Sequence, residues 1–205
     1  MNIRTTLITS SLIAASLVSG AAHAALQGRD LDGSIGSFEA YYDTDLNITW
    51  LADANINGPM NWDDASALAA NLSFTDGVNI YDNWRLSTSD ACAGYGCTGS
   101  EMGHLFYSEL GGTTGQFILT SADPDLIKFT NLQVGRYWSA MQYDNNNAWY
   151  FDFAQGLQSA DSKGNGFYVL AVSPGDVGAV PEASIWAMLL AGLGLVGVAA
   201  KGRPV

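Results

Sequence analysis

Short alternating runs and two stretches of helical spacing lie between two apolar ends of the chain. Phe38 to Tyr42 and Ile48 to Leu51 are rich in aromatic and branched residues and flank Asp43-Thr44-Asp45, which predicts a hairpin turned on the acidic triplet. Asn61-Trp62-Asp63-Asp64 predicts a helix start. Asn61 can cap the free amides, the two acids suit the positive end of the dipole, and Trp62, Ala65, Leu68, Ala69 and Leu72 recur on one face. This helix should end near Asn71. A second helix is predicted where Thr98 and Glu101, at capping-box spacing, precede Met102, Leu105, Phe106 and Leu110, with Gly111-Gly112 as the stop. From Gly111 to Gly135 the periodicity fades into a long loop. Three strands follow, Tyr137 to Met141, Trp149 to Phe153 and Phe167 to Val172, separated by the turn-rich segments Asp144 to Asn147 and Asp161 to Gly166. In the middle strand Trp149, Phe151 and Phe153 alternate onto one face. A strand pair, two helices, a long loop and three antiparallel strands define an α+β domain with a small sheet.

The two ends predict export. Arg4, the apolar stretch Leu7 to Val18 and the small-residue finish Ala22-His23-Ala24 have the form of a secretory signal peptide cleaved before Ala25. Its apolar core is shorter than the ~20 residues of a spanning helix. At the other end Val180-Pro181-Glu182 precedes the apolar run Ser184 to Ala200, closed by Lys201 and Arg203. Basic residues in that position stay cytoplasmic, so the run would halt in the inner membrane as a transmembrane helix with the domain outside. The order Val180-Pro181-Glu182, then Trp186, then Leu189 to Leu195 and a terminal basic pair resembles the PEP-CTERM sorting signal. That resemblance implies cutting near Pro181-Glu182 by an exosortase, a membrane protease-transpeptidase of Gram-negative bacteria that make exopolysaccharide. Ala183 stands where the family usually has Pro, and permanent anchoring by the same segment is the alternative. The chain thus divides into a signal peptide (1–24), a domain (25–179) and a sorting signal with its transmembrane helix (180–205).

Charge narrows the partners. Between the ends, five Lys and Arg (Arg29, Arg85, Lys128, Arg136, Lys163) face nineteen Asp and Glu, a net charge of −14. That excludes nucleic acid, whose phosphates nothing here would neutralise, and disfavours anionic membrane surfaces. The two cysteines, Cys92 and Cys97, bracket Ala-Gly-Tyr-Gly, and in an exported chain they should form a local disulfide.

Within the domain, Asn47 to Leu51, Met60 to Ala65, Asn83-Trp84-Arg85-Leu86-Ser87-Thr88, Ser100-Glu101-Met102, Tyr137-Trp138-Ser139-Ala140, Ala148 to Gly156 and Phe167 to Val172 follow the order seen in the Lcl C-terminal-like family. The domain resembles that family over nearly all of residues 38 to 173. Ser87 replaces the usual Pro, and the usual Arg after the last Val is missing. The resemblance implies a C-type-lectin-like fold. It also implies that Trp84 and Trp138 are core anchors rather than ligand platforms.

Catalytic chemistry finds little support. The only histidine outside the signal peptide, His104, is off the apolar stripe of the second helix and is expected to be solvated. No nucleophile elbow, phosphate loop, dinucleotide fingerprint or zinc-protease motif is present, so an enzyme is not expected. No cofactor is expected beyond calcium. Asp43-Thr44-Asp45-Leu46-Asn47 imitates the start of an EF-hand loop but has Ile48 where Gly is needed and Ala54 where Glu is needed. Asp123, Asp125, Asp144 and Asn146 are the candidate calcium ligands, and Tyr95, Tyr143 and Tyr150 the candidate sugar-stacking residues. The expected function is that of an exosortase-sorted cell-surface, outer-membrane or matrix protein of a Gram-negative bacterium, binding extracellular polymer such as exopolysaccharide. A structural surface protein with no specific ligand is the alternative.

Overall fold

The computed structural model describes residues 26–34 and 36–178. The signal-peptide residues Ala22 and Ala24, the sorting residues Val180, Pro181 and Glu182, and the expected spanning helix lie outside the described residues. Among the described residues no helix is long and apolar enough to cross a membrane.

The chain begins with β1 (Gln27–Arg29), β2 (Ala40–Asp43) and β3 (Ile48–Leu51), then helix α1 (Trp62–Ala70). Four two-residue strands follow, β4 (Phe74–Thr75), β5 (Ile80–Tyr81), β6 (Arg85–Leu86) and β7 (Gly94–Tyr95), before helix α2 (Glu101–His104). The last strands are β8 (Arg136–Gln142), β9 (Asn147–Asp152), β10 (Leu157–Ser162) and β11 (Ala171–Pro174). They build a five-stranded sheet in the order β1-β2-β3-β11-β6, a four-stranded sheet β7-β10-β9-β8 and a small β4-β5 hairpin. All named strand pairs are antiparallel.

Two apolar cores flank the main sheets, and alternate residues of one strand enter different cores. Ile48 and Trp50 of β3, Tyr137 of β8, Phe151 of β9 and Val172 of β11 belong to one core, together with Met102, Leu105 and Phe106. Their neighbours Leu51, Trp138, Tyr150 and Ala171 belong to the other, with Ala65, Ala69 and Trp84. A strand covered on both faces reads as a continuous apolar run, which is why β9 is buried along nearly its whole length rather than on one face as the alternation suggested.

The first hairpin and α1 follow the sequence. Asn61 caps α1 by accepting from the Asp64 amide at 2.9 Å, and Asn71 closes it. The second helix does not follow it. Ser100, not Thr98, is the cap, accepting from the Gly103 amide at 3.1 Å. Glu101 does not fold back to complete a capping box. Its carboxylate takes two hydrogen bonds from Arg85, at 2.8 and 2.7 Å, and a third from the Thr88 amide at 2.6 Å. The Trp84-Arg85-Leu86 segment and the Ser100-Glu101-Met102 segment are thus joined by one ion pair. After four residues α2 gives way to a π-helical turn, Leu105–Glu109, marked by the Leu110 amide donating to the Leu105 carbonyl.

The third expected strand also shifts. Ala171–Pro174 joins β3 and β6 in the first sheet, while β9 pairs instead with β10, a segment whose polar residues gave no strand signal. Gln158 lies buried there because its amide donates to the Asp90 and Cys92 carbonyls and to the Asp90 carboxylate. The region between Gly111 and Gly135 is loop with 3-10 turns at Ile118–Thr120 and Pro124–Lys128. Trp84 and Trp138 are core residues.

Candidate functional site

Four of the five basic residues between the ends are held in ion pairs: Arg29 to Asp176, Arg85 to Glu101, Lys128 to Asp125, and Arg136 to Asp152 and Asp161. The fifth, Lys163, donates to Gln142 and the Asn145 carbonyl and lies 4.8 Å from the centre of the Trp62 ring. The remaining acids leave the described surface negative.

An aromatic cleft opens at the side of the four-stranded sheet. It has a volume of about 230 Å³ and is lined by Ala93, Tyr143, Trp149, Ser159 and Ala160. Tyr143, 60% exposed, stands edge-on to Trp149 with ring centres 5.3 Å apart. The disulfide between Cys92 and Cys97 closes the loop that supplies Ala93.

The other two tyrosine candidates do not join this cleft. Tyr150, one residue along β9, turns into the second core and is only 5% exposed, beneath Arg136 and against Phe167. It is therefore not available for stacking, because neighbouring strand residues point to opposite faces and here both faces are covered. Tyr95 is half exposed and donates to Gln155. Its register partner Leu157 is three residues from Ala160, the partner of Trp149, which places Tyr95 on the opposite face of the sheet.

Among the described residues, the three aspartates of the four expected calcium ligands each have a local task and do not converge, and Asn146 engages only through its backbone. Asp123 caps the 3-10 turn by accepting from the Asp125 amide, and Asp125 pairs with Lys128 at 2.8 Å. Asp144 accepts from the Asn146 and Asn147 amides and the Asn147 side chain in the β8–β9 turn, and these bonds hold its carboxyl below the usual range.

Acidic side chains do converge elsewhere, at Asp43, His104 and Glu109, whose ligand atoms lie within 4.8 Å of one another. His104 is not solvated: its ring is 17% exposed and its Nε2 is 3.1 Å from Glu109 Oε1. Residues five apart on an α-helix point about 140° away from each other. The wider π turn narrows that offset and brings Glu109 round toward His104. Asp43 is fully buried at the end of β2, where Oδ1 accepts from the Asp45 and Leu46 amides and Oδ2 accepts from Trp50 Nε1 at 3.3 Å.

Burial pushes the Glu109 carboxyl up from 4.5 to about 7, helped by the negative charge of Asp43 and, less, Asp45, and opposed by His104. A carboxyl that holds its proton longer when folded adds stability that is complete below the unfolded value and lost as pH rises through the folded one. In the metal-free protein, stability should therefore fall between pH 4.5 and 7. The full shift corresponds to roughly 3 kcal/mol, and solvent reaching the site beside His104 reduces the expected loss to about 2 kcal/mol. Glu109→Gln should flatten this decline in urea denaturation followed across pH; an unchanged slope would show that other groups cause it.

Comparison with known proteins gives these features a setting. The family model for the Lcl C-terminal domain matches residues 39–173, most of the chain. The chain belongs to the Lcl C-terminal domain family. The match runs from the residue before β2 to β11, so the aromatic cleft and the Asp43–His104–Glu109 cluster both lie within the Lcl C-terminal domain. The PEP-CTERM protein-sorting motif matches residues 179–203, with five residues between the two matches. That motif marks an exported protein of Gram-negative bacteria that passes through a membrane-anchored intermediate and is processed by an exosortase. No curated protein matches the chain.

Proposed function

We propose that the protein is a non-enzymatic cell-surface or matrix component whose Lcl C-terminal domain binds a neutral extracellular polysaccharide. The observation that carries this reading is the exposed Tyr143 ring held edge-on to Trp149 above the cleft. A ring fixed by an aromatic neighbour presents apolar area to a sugar face with little further ordering cost. Charge selects the polymer class: the basic side chains are engaged, and the acidic surplus would repel a polyanion. The C-type-lectin-like fold that the family resemblance implies is part of this reading, supported by two helices packed on a sheet that joins the first hairpin to the last strand.

Binding to the producer's exopolysaccharide and to a panel of neutral and acidic polymers, measured by affinity electrophoresis, tests it. Tyr143→Ala should weaken retention by a neutral polymer roughly tenfold, while Tyr95→Ala leaves it unchanged. Equal retention of the wild-type and Tyr143→Ala proteins would overturn the placement. Absence of retention by every polymer would leave a structural surface protein as the reading.

A further inference from the structure

We propose that Asp43, His104 and Glu109 form a binding site for a divalent transition-metal ion of the zinc class. The three donors come from two separated parts of the chain, the end of β2 and the helix that ends in the π turn. Three carboxylate and imidazole donors lie within 4.8 Å of one another, close enough for small side-chain shifts to bring them onto one ion. Tetrahedral coordination at 2.0–2.2 Å places neighbouring donor atoms roughly 3.4 Å apart.

The independent observation is Glu109 Oε2. Glu109 is only 2% exposed, its Oε1 faces His104, and its Oε2 has no hydrogen-bond partner. A buried carboxylate oxygen without a donor is costly, and a cation would remove that cost. Among the described residues neither Asp43 nor Glu109 is ion-paired to Lys or Arg. The imidazole of His104 pairs with Glu109 alone, and a doubly charged ion between them would balance both buried carboxylates more fully.

The donor chemistry selects the ion. Imidazole nitrogen with two carboxylates suits zinc, whereas calcium and magnesium prefer sets made wholly of oxygen. Supporting groups are present: Trp50 Nε1 and the Asp45 and Leu46 amides orient Asp43, as outer hydrogen bonds orient metal ligands. Partial exposure of His104 provides the entry path, from which solvent would supply the fourth ligand. Bound metal would clamp the first hairpin to the second helix.

The test uses the full chain, purified in detergent without a histidine tag and with its disulfide intact, titrated with zinc chloride by calorimetry. The expected result is one zinc ion per chain, a higher Tm, and no comparable response to calcium or magnesium. Cobalt should give the visible absorption of a four-coordinate site. His104→Gln and Glu109→Gln should each weaken zinc binding by roughly 100-fold or more. Far-ultraviolet circular dichroism of each variant confirms folding; Asp43→Asn, which keeps the turn acceptors, supplies a third variant if either misfolds. Zinc binding that is absent from the wild type, or equally strong in the folded variants, would overturn the site.

Discussion

Replacing Trp138 with alanine is expected to remove about 4 kcal/mol of stability, a large share of the roughly 5–15 kcal/mol available to a domain. The ring is fully buried in the second core, stacked on Phe167 with centres 4.3 Å apart. Its Nε1 donates to the Met60 carbonyl at 2.9 Å, tying β8 to the segment before α1. Alanine leaves a large cavity between elements far apart in sequence, which cannot close without shifting the Met60 segment and Phe167 against the sheet. Most of the loss comes from packing, because the Met60 carbonyl keeps a second bond from the Phe167 amide. Trp138→Phe should therefore cost less than half as much. Urea denaturation with the disulfide intact measures both; a loss under 1 kcal/mol for the alanine variant would show that Trp138 is not an anchor.

The elements legible in the sequence were those with strong local signals. The hairpin around Asp43, the Asn61 cap and the strands at Tyr137 and Trp149 combine turn or cap chemistry with clear periodicity. What was missed depends on distant partners. Strand β10 carries Gln158 at a buried position, which makes sense only once Asp90 and Cys92 are seen to receive its amide. The short strands β6 and β7 hold two residues each and exist because longer neighbours pair with them. The apolar alternation places Phe167 in a strand, yet it makes an isolated bridge to Met60, and the strand proper begins four residues later.

The candidate sites divide in the same way. Tyr143 was legible as an aromatic at a turn, and the cleft beneath it was not, because Trp149 and Ser159 belong to different strands. Tyr150 is buried although the sequence offers it as a stacking residue, because a period of two cannot reveal that both faces of β9 are covered. The pairing of His104 with Glu109 was hidden by the assumption of α-helical spacing. A wheel of 100° per residue separates two side chains that the π turn brings together. In the sequence Asp43 opens a segment that imitates a calcium loop. Its significance in the fold is its proximity to a helix that follows about sixty residues later.

Gly103→Ala should reverse the usual sign of a glycine-to-alanine change in a helix. In an exposed helix interior alanine is better by about 1 kcal/mol; here a loss of about 3 kcal/mol is expected. A Cβ on Gly103 would lie 1.8 Å from the Cys97 carbonyl oxygen and 2.7 Å from Ser100 Oγ. The first contact is with backbone pinned by the disulfide, so the helix must withdraw. The second is with the cap that accepts from the Gly103 amide, so withdrawal also breaks the cap, a loss of about 1 kcal/mol in addition to the overpacking. Denaturation midpoints give the stability change, and the rate of disulfide reduction by a thiol reports whether the helix has left the loop. Faster reduction with lower stability is the expected result. A stabilised variant with unchanged reduction would mean that the helix and the disulfide loop do not depend on this close approach.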